Sequence, residues 1–159
     1  MTKLLILCPW AVLMLVPPNA DAADRIPLGA CDAIRIQSPA NVAIKGIAQS
    51  TKEGLIVGDL SCPVFRYRKI RIPATVIVEV RSYSSDQIKA DFLAIQPSLD
   101  SPQLRVVVHG TIECKEALRF DISDDRRDVT GGNGYGSHGL YSCRMTDGRI
   151  DSFEALKRH

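Results

Sequence analysis

The sequence predicts a mostly β domain: a small five-stranded barrel with one α-helix between its third and fourth strands, exported behind a cleaved signal peptide. Three observations carry this. Short β-branched runs recur along the chain, broken by glycine and proline. One helical pattern interrupts them, and strand-like runs resume after it. An apolar leader comes first, and beyond it lie four cysteines, an even set.

The leader is residues 1–22. Met1-Thr2-Lys3 is a short basic start, and Leu4 to Val16 is apolar. Ala20-Asp21-Ala22 then supplies a small-x-small cleavage pattern. The run is too short to span a bilayer comfortably, which takes about 20 apolar residues. Cys8 does not suit lipid attachment, because bulky Leu7 precedes it and the apolar run continues past it. Cleavage after Ala22 leaves residues 23–159 as a single domain, long enough to bury its own core. The formal net charge of the whole chain is +2. Nothing in that balance demands nucleic acid or a membrane surface. No other segment is long and apolar enough to span. The expectation is a periplasmic or secreted protein with no membrane span after cleavage.

Cys8 leaves with the signal, so Cys31, Cys62, Cys114 and Cys143 remain. In an exported chain they read as disulfides. Four cysteines allow three connectivities, and spacing does not choose among them. The favoured pairing is Cys31–Cys62 with Cys114–Cys143. The first ties the lead-in arm to the end of a hairpin; the second joins two strands near the ends of the sheet. Each link stabilises by about 2–4 kcal/mol, mainly through the unfolded state. No pair has Cys-x-x-Cys spacing, which argues against a zinc site. No metal and no cofactor are expected.

In chain order, Ala23 to Ser38 is a lead-in arm in which Ile34-Arg35-Ile36 reads as a short edge strand. Val42 to Ile47 and Leu55 to Val57 flank a polar segment ending in Gly54, a hairpin with a medium-length turn. Gly46 and Gly58 suggest bulges or bends. Val64 to Val80 reads as one bent strand or two, with Pro73 at the bend. Ser84-Ser85 starts a helix, and Ile88, Phe92 and Ile95 share one of its faces. Pro97 closes it. Leu104 to Cys114 is the clearest strand, with Leu104, Val106 and Val108 on one side. Leu118 to Ile122 is a further short strand. Ser123 to His138 reads as a long glycine-rich surface loop. Gly139 to Met145 resumes as a strand, Asp147-Gly148 signals a hairpin turn, and Ile150 to Leu156 returns as a strand or a short terminal helix.

Three or so strands, a helix, then two or so strands suit the oligonucleotide/oligosaccharide-binding (OB) barrel, whose helix lies between its third and fourth strands. A mixed α+β sandwich is the alternative. The chain also resembles a group of uncharacterised small exported bacterial proteins with OB-like barrels. The resemblance lies in Val42-Ala-Ile-Lys-Gly46, Gly54-Leu-Ile-Val leading to Cys62-Pro63, Val106-Val-Val-His-Gly110, and Gly134-Tyr-Gly-Ser-His-Gly-Leu-Tyr141. The last is similar to a Gly-Tyr-Gly-His-x-Gly-x-Tyr pattern, here with Ser137 inserted before His138. The resemblance implies fold and export and brings no activity with it.

The signatures of phosphate-binding loops, zinc proteases and serine hydrolases are absent from the sequence. His109 lies mid-strand and reads as structural; His159 is terminal. His138 has better prospects, in a glycine loop beside Tyr135 and Tyr141, where a ligand can approach closely. Asp121, Asp124, Asp125 and Asp128 miss calcium-loop spacing and lie among Arg126 and Arg127, so they read as a solvated loop. The densest basic run, Arg66, Tyr67, Arg68, Lys69 and Arg71, either blunts a strand edge or grips an acidic ligand. The candidate ligand contacts are therefore Arg66, Tyr67, Arg68, Arg71, Tyr135, His138 and Tyr141. The leading expectation is a non-enzymatic binding module of the bacterial cell envelope. The alternative is an inhibitor or immunity-type protein that blocks a toxin or protease. An enzyme using His138 and a loop aspartate comes third.

Overall fold

A computed structural model describes residues 26–37, 39–59, 62, 65–67, 70–72, 74–95, 103–116, 118–123, 125 and 129–156. The leader and its cleavage site lie outside the described residues. The chain is mostly β, with β1 at Leu28–Gly29, α1 at Ala30–Ala33, β2 at Ala40–Thr51 and β3 at Gly54–Gly58. There follow β4 at Phe65–Tyr67, β5 at Ile70–Ile72, β6 at Thr75–Tyr83 and α2 at Asp86–Ile95. The last strands are β7 at Leu104–Cys114, β8 at Phe120–Ile122, β9 at Val129–Gly132 and β10 at Cys143–Ala155. Among the described residues, two helices and ten strands thus stand where one and five were expected. The surplus is α1, the two-residue β1, and two small hairpins, β4–β5 and β8–β9, outside the main sheet.

The main sheet runs β1-β2-β3-β6-β10-β7, and β2 also pairs with β7. The pairing therefore leaves β2 through β3 and returns to it through β7. Every pair in this circuit is antiparallel except β6 with β10, which run parallel. A parallel pair needs a crossover. Here α2 and β7 lie between the two strands in sequence.

Alternation sets the inner face. Val76 and Val78 of β6, Leu104, Val106, Val108 and Ile112 of β7, and Met145 and Ile150 of β10 are all fully or almost fully buried. Ile44 and Val57 join them from β2 and β3. Each such side chain stabilises by about 1.5–3 kcal/mol relative to exposure. Helix α2 packs at one end of this core. The Ser85 hydroxyl accepts a hydrogen bond from the Ile88 amide at 3.2 Å, the expected serine cap. Phe92 meets Phe153 edge-on at 5.4 Å and Tyr83 at 6.0 Å. Ile88 and Ile95 pack beside it, as their shared face requires.

Several expectations are corrected. Ile34-Arg35-Ile36 is not a strand; it follows α1, and the Ile34 and Ile36 amides bond back to the Ala30 and Ala33 carbonyls. The β2–β3 turn is tight, only Lys52 and Glu53 lying between the strands. No register break occurs at Gly46 or Gly58. The stretch Val64 to Val80 holds three strands, β4 and β5 forming their own hairpin before β6. Pro73 and Pro97 lie outside the described residues. Part of the loop Ser123 to His138 is strand β9, paired with β8. Asp147-Gly148 is not a hairpin turn. It is an irregularity inside one continuous strand, where register shifts against both β6 and β7 and Asp147 has φ +54°. Positive φ is what aspartate and glycine tolerate best, and a bulge needs it as much as a turn does.

Both favoured disulfides form. Cys31–Cys62 joins α1 to the segment after β3, beside buried Ala30 and Ala74. Cys114–Cys143 joins directly paired residues of β7 and β10. They fit an oxidising compartment. Among the described residues no helix is long and apolar enough to cross a membrane.

Candidate functional site

The outer face of β3, β6 and β10 carries a row set by register. Ile56 of β3 lies opposite Ile77 of β6, and Ile77 opposite Arg144 of β10. Arg144 in turn lies opposite Glu113 of β7. Its Nη2 and Nε donate to one Glu113 carboxylate oxygen at 3.0 and 3.3 Å. The chain between Cys114 and Cys143 leaves this row, forms β8–β9, and comes back over it as residues 133–141.

Glycine shapes that return. The Gly134 amide donates to the Gly139 carbonyl at 2.8 Å, and Tyr135 and Tyr141 exchange backbone bonds at 2.8 and 3.1 Å. Gly139 has φ +62° and Gly136 φ +81°, where a side chain is strained. A Cβ on Gly139 would also collide with the Gly132 carbonyl. The loop tip is therefore a small closed hairpin. At its base the buried Ser142 hydroxyl donates to the Thr75 carbonyl at 2.9 Å.

The tip sets Tyr135 against two cations. Lys115 Nζ lies 5.0 Å from its ring centroid and the Arg144 guanidinium 5.1 Å. Hydrogen bonding from Arg144 holds the Glu113 carboxyl below its ordinary 4.5, and the Tyr135 hydroxyl adds to the effect. Burial raises the Tyr135 phenol above its ordinary 10.0, and the Glu113 charge pushes the same way. The Tyr135 Oη is near enough to Glu113 to feel that charge. It is shielded from solvent, yet makes no hydrogen bond within ordinary limits of distance and angle.

At the far end the tip meets the β2–β3 turn. The Ser137 hydroxyl donates to a Glu53 carboxylate oxygen. The turn is braced from within: Thr51 Oγ1 donates to the Gly54 carbonyl at 2.9 Å and accepts from the Glu53 amide at 3.2 Å. Between turn, tip and strands lies an open cleft of about 500 Å³. Leu55, Ile77 and Val80 give it apolar lining; Glu53, Glu79, Tyr135 and Arg144 give it polar groups.

Of the sequence-predicted contacts, Tyr135 lines this cleft. Tyr141 serves the tip by pairing with Tyr135, and its ring lies against Gly136. His138 is exposed on the tip. In the register of the β4–β5 hairpin Arg66 pairs with Arg71 and Tyr67 with Ile70. Arg68 lies outside the described residues, as do His159, Asp124 and Asp128. Asp125 accepts from the Ser123 hydroxyl at 2.6 Å, and Asp121 is exposed on β8. His109 is buried on β7, its Nδ1 3.4 Å from Arg149, which is itself paired with Asp151 at 2.6 Å. Sequence reasoning missed Glu53, Ile77, Glu79 and Arg144. Strand register brings Ile77 and Arg144 together, the β2–β3 turn brings Glu53, and no local signal marks any of the four.

No family model matches the chain, nor does any curated protein or solved structure.

Proposed function

We propose that this protein is an exported, non-enzymatic binding module built on an OB-like barrel, with its ligand in the cleft over β3, β6 and β10. Support for the barrel is the closed circuit of pairing through β2, β3, β6, β10 and β7, with one parallel pair and with α2 between β6 and β7, the third and fourth of these strands in chain order. These features favour the five-stranded OB class over an α+β sandwich. Such barrels bind along the face of their second and third strands, between the loops that follow the first and the fourth. Here those strands are β3 and β6, and those loops are the β2–β3 turn and residues 115–142. The single observation that carries the reading is that the cleft lies there, with Glu53 and Gly54 from one loop and Tyr135 and Gly136 from the other. The two disulfides support a periplasmic or secreted location.

The test is retention on immobilised mature domain. Oligosaccharide, peptide and protein fractions of a cell-envelope extract are passed over the wild type and over Ile77→Lys. The account expects a fraction retained by the wild type and lost with Ile77→Lys, while both variants melt alike. Retention unchanged by Ile77→Lys and Arg144→Ala would move the site elsewhere. Substrate turnover abolished by His138→Ala would replace the binding reading with an enzymatic one.

A further inference from the structure

We infer that residues 134–141 form a hinged strap that narrows the cleft, with the Ser137–Glu53 hydrogen bond as its latch. The strap's tip is internally bonded through Gly134–Gly139 and Tyr135–Tyr141, so it can move as one piece. Its root is fixed: the Asn133 amide donates to the Arg119 carbonyl at 3.1 Å, the Arg119 amide to Asn133 Oδ1 at 2.6 Å, and Ser142 to Thr75. The latch lies at the opposite end, on a turn braced by Thr51. Gly136 sits where any Cβ would press on the Glu53 carboxylate and the Tyr141 ring, so tip and turn are in close contact. The cleft lies between the strap and the strands, with Tyr135 and Gly136 as its strap-side wall.

Root and latch differ in kind. The root is held by three hydrogen bonds, each with a backbone group on at least one side, and Ser142 is buried. The latch joins two surface side chains in reach of water, which competes for both. Opening therefore begins at Ser137. It widens the cleft over Ile77 and Val80 and frees the Glu53 carboxylate to face a ligand. The strap rests on the binding reading for its purpose, but its test does not need a ligand.

Amide hydrogen exchange is followed by mass spectrometry on the mature, oxidised domain. Glu53→Ala and Ser137→Ala should each speed exchange across residues 134–141 by about five- to tenfold. Ser137→Thr, which keeps the hydroxyl, should stay near wild type. Protection in β7 and β10 should not change. Equal exchange at 134–141 in wild type and both alanine variants would overturn the latch, leaving the binding face to the retention experiment. Loss of protection in β7 and β10 as well would make the contact a general structural tie and overturn the strap equally.

Discussion

The two segments that the sequence marks as candidate ligand contacts end in different company. Both are tethered near a disulfide. Cys62 lies just before β4, and Cys114–Cys143 closes the root of the excursion that carries Tyr135. The basic segment then pairs with itself, Arg66 opposite Arg71, in a sheet of two strands. The glycine segment returns to the main sheet, laying Tyr135 against Arg144 and Ser137 against Glu53. Charge density in a sequence marks where charges are many. The glycine segment brings unlike groups from distant segments together.

The comparison can be broken at its tethers first. Converting Cys114 and Cys143 to alanine should cost about 2–4 kcal/mol in urea unfolding. It should also speed exchange through 115–142, leaving β4–β5 as it was. Removing Cys31–Cys62 should cost a similar amount and have the reverse local effect. If either pair loosened both segments equally, their independence would be lost.

A smaller change sharpens the glycine side alone. Gly139→Ala strains a left-handed backbone position and drives a methyl against the Gly132 carbonyl. It should cost about 1–3 kcal/mol locally. The measurement is exchange at 134–141, with the melting point of the domain moving little. A variant as protected as wild type would contradict the closed-tip geometry.

The smallest effects are in pH. Glu113 is held below 4.5 by Arg144, so it stabilises the folded state above its unfolded value. That contribution should fade as pH falls through the lowered folded value, and Glu113→Gln should remove it. Tyr135 is raised above 10.0, so its contribution is complete below that value and is lost as pH rises through the raised one. Ultraviolet titration of the phenol should show a late-ionising tyrosine that disappears in Tyr135→Phe. Ionisation of every tyrosine near its ordinary value would contradict the burial of this ring.

Local patterns made much of the fold legible. Strand β7 has the bounds that its β-branched run announces, and α2 begins beside its serine cap. The β2–β3 hairpin is present with Gly54 opening its second strand, and both favoured disulfides are present. What failed was ambiguous chemistry. Ile34-Arg35-Ile36 has strand alternation, but α1 and its backbone bonds take those residues into a turn. Asp147-Gly148 fits a bulge as well as a turn, and a long β10 needs the bulge. The site was half legible: a glycine-rich run with tyrosines pointed to Tyr135. Its partners were not, because Glu53 is an ordinary turn residue and Arg144 an ordinary strand residue until register sets them on one face.

The claim that ligands belong under the strap and not on the basic hairpin is tested most directly by backbone amide spectra. ¹⁵N-labelled protein spanning residues 23–159 is screened against a library of small polar and aromatic fragments. Shift changes should cluster at Glu53, Ile77, Glu79, Tyr135 and Arg144. Changes confined to Arg66, Tyr67 and Arg71, with the cleft silent, would contradict the account.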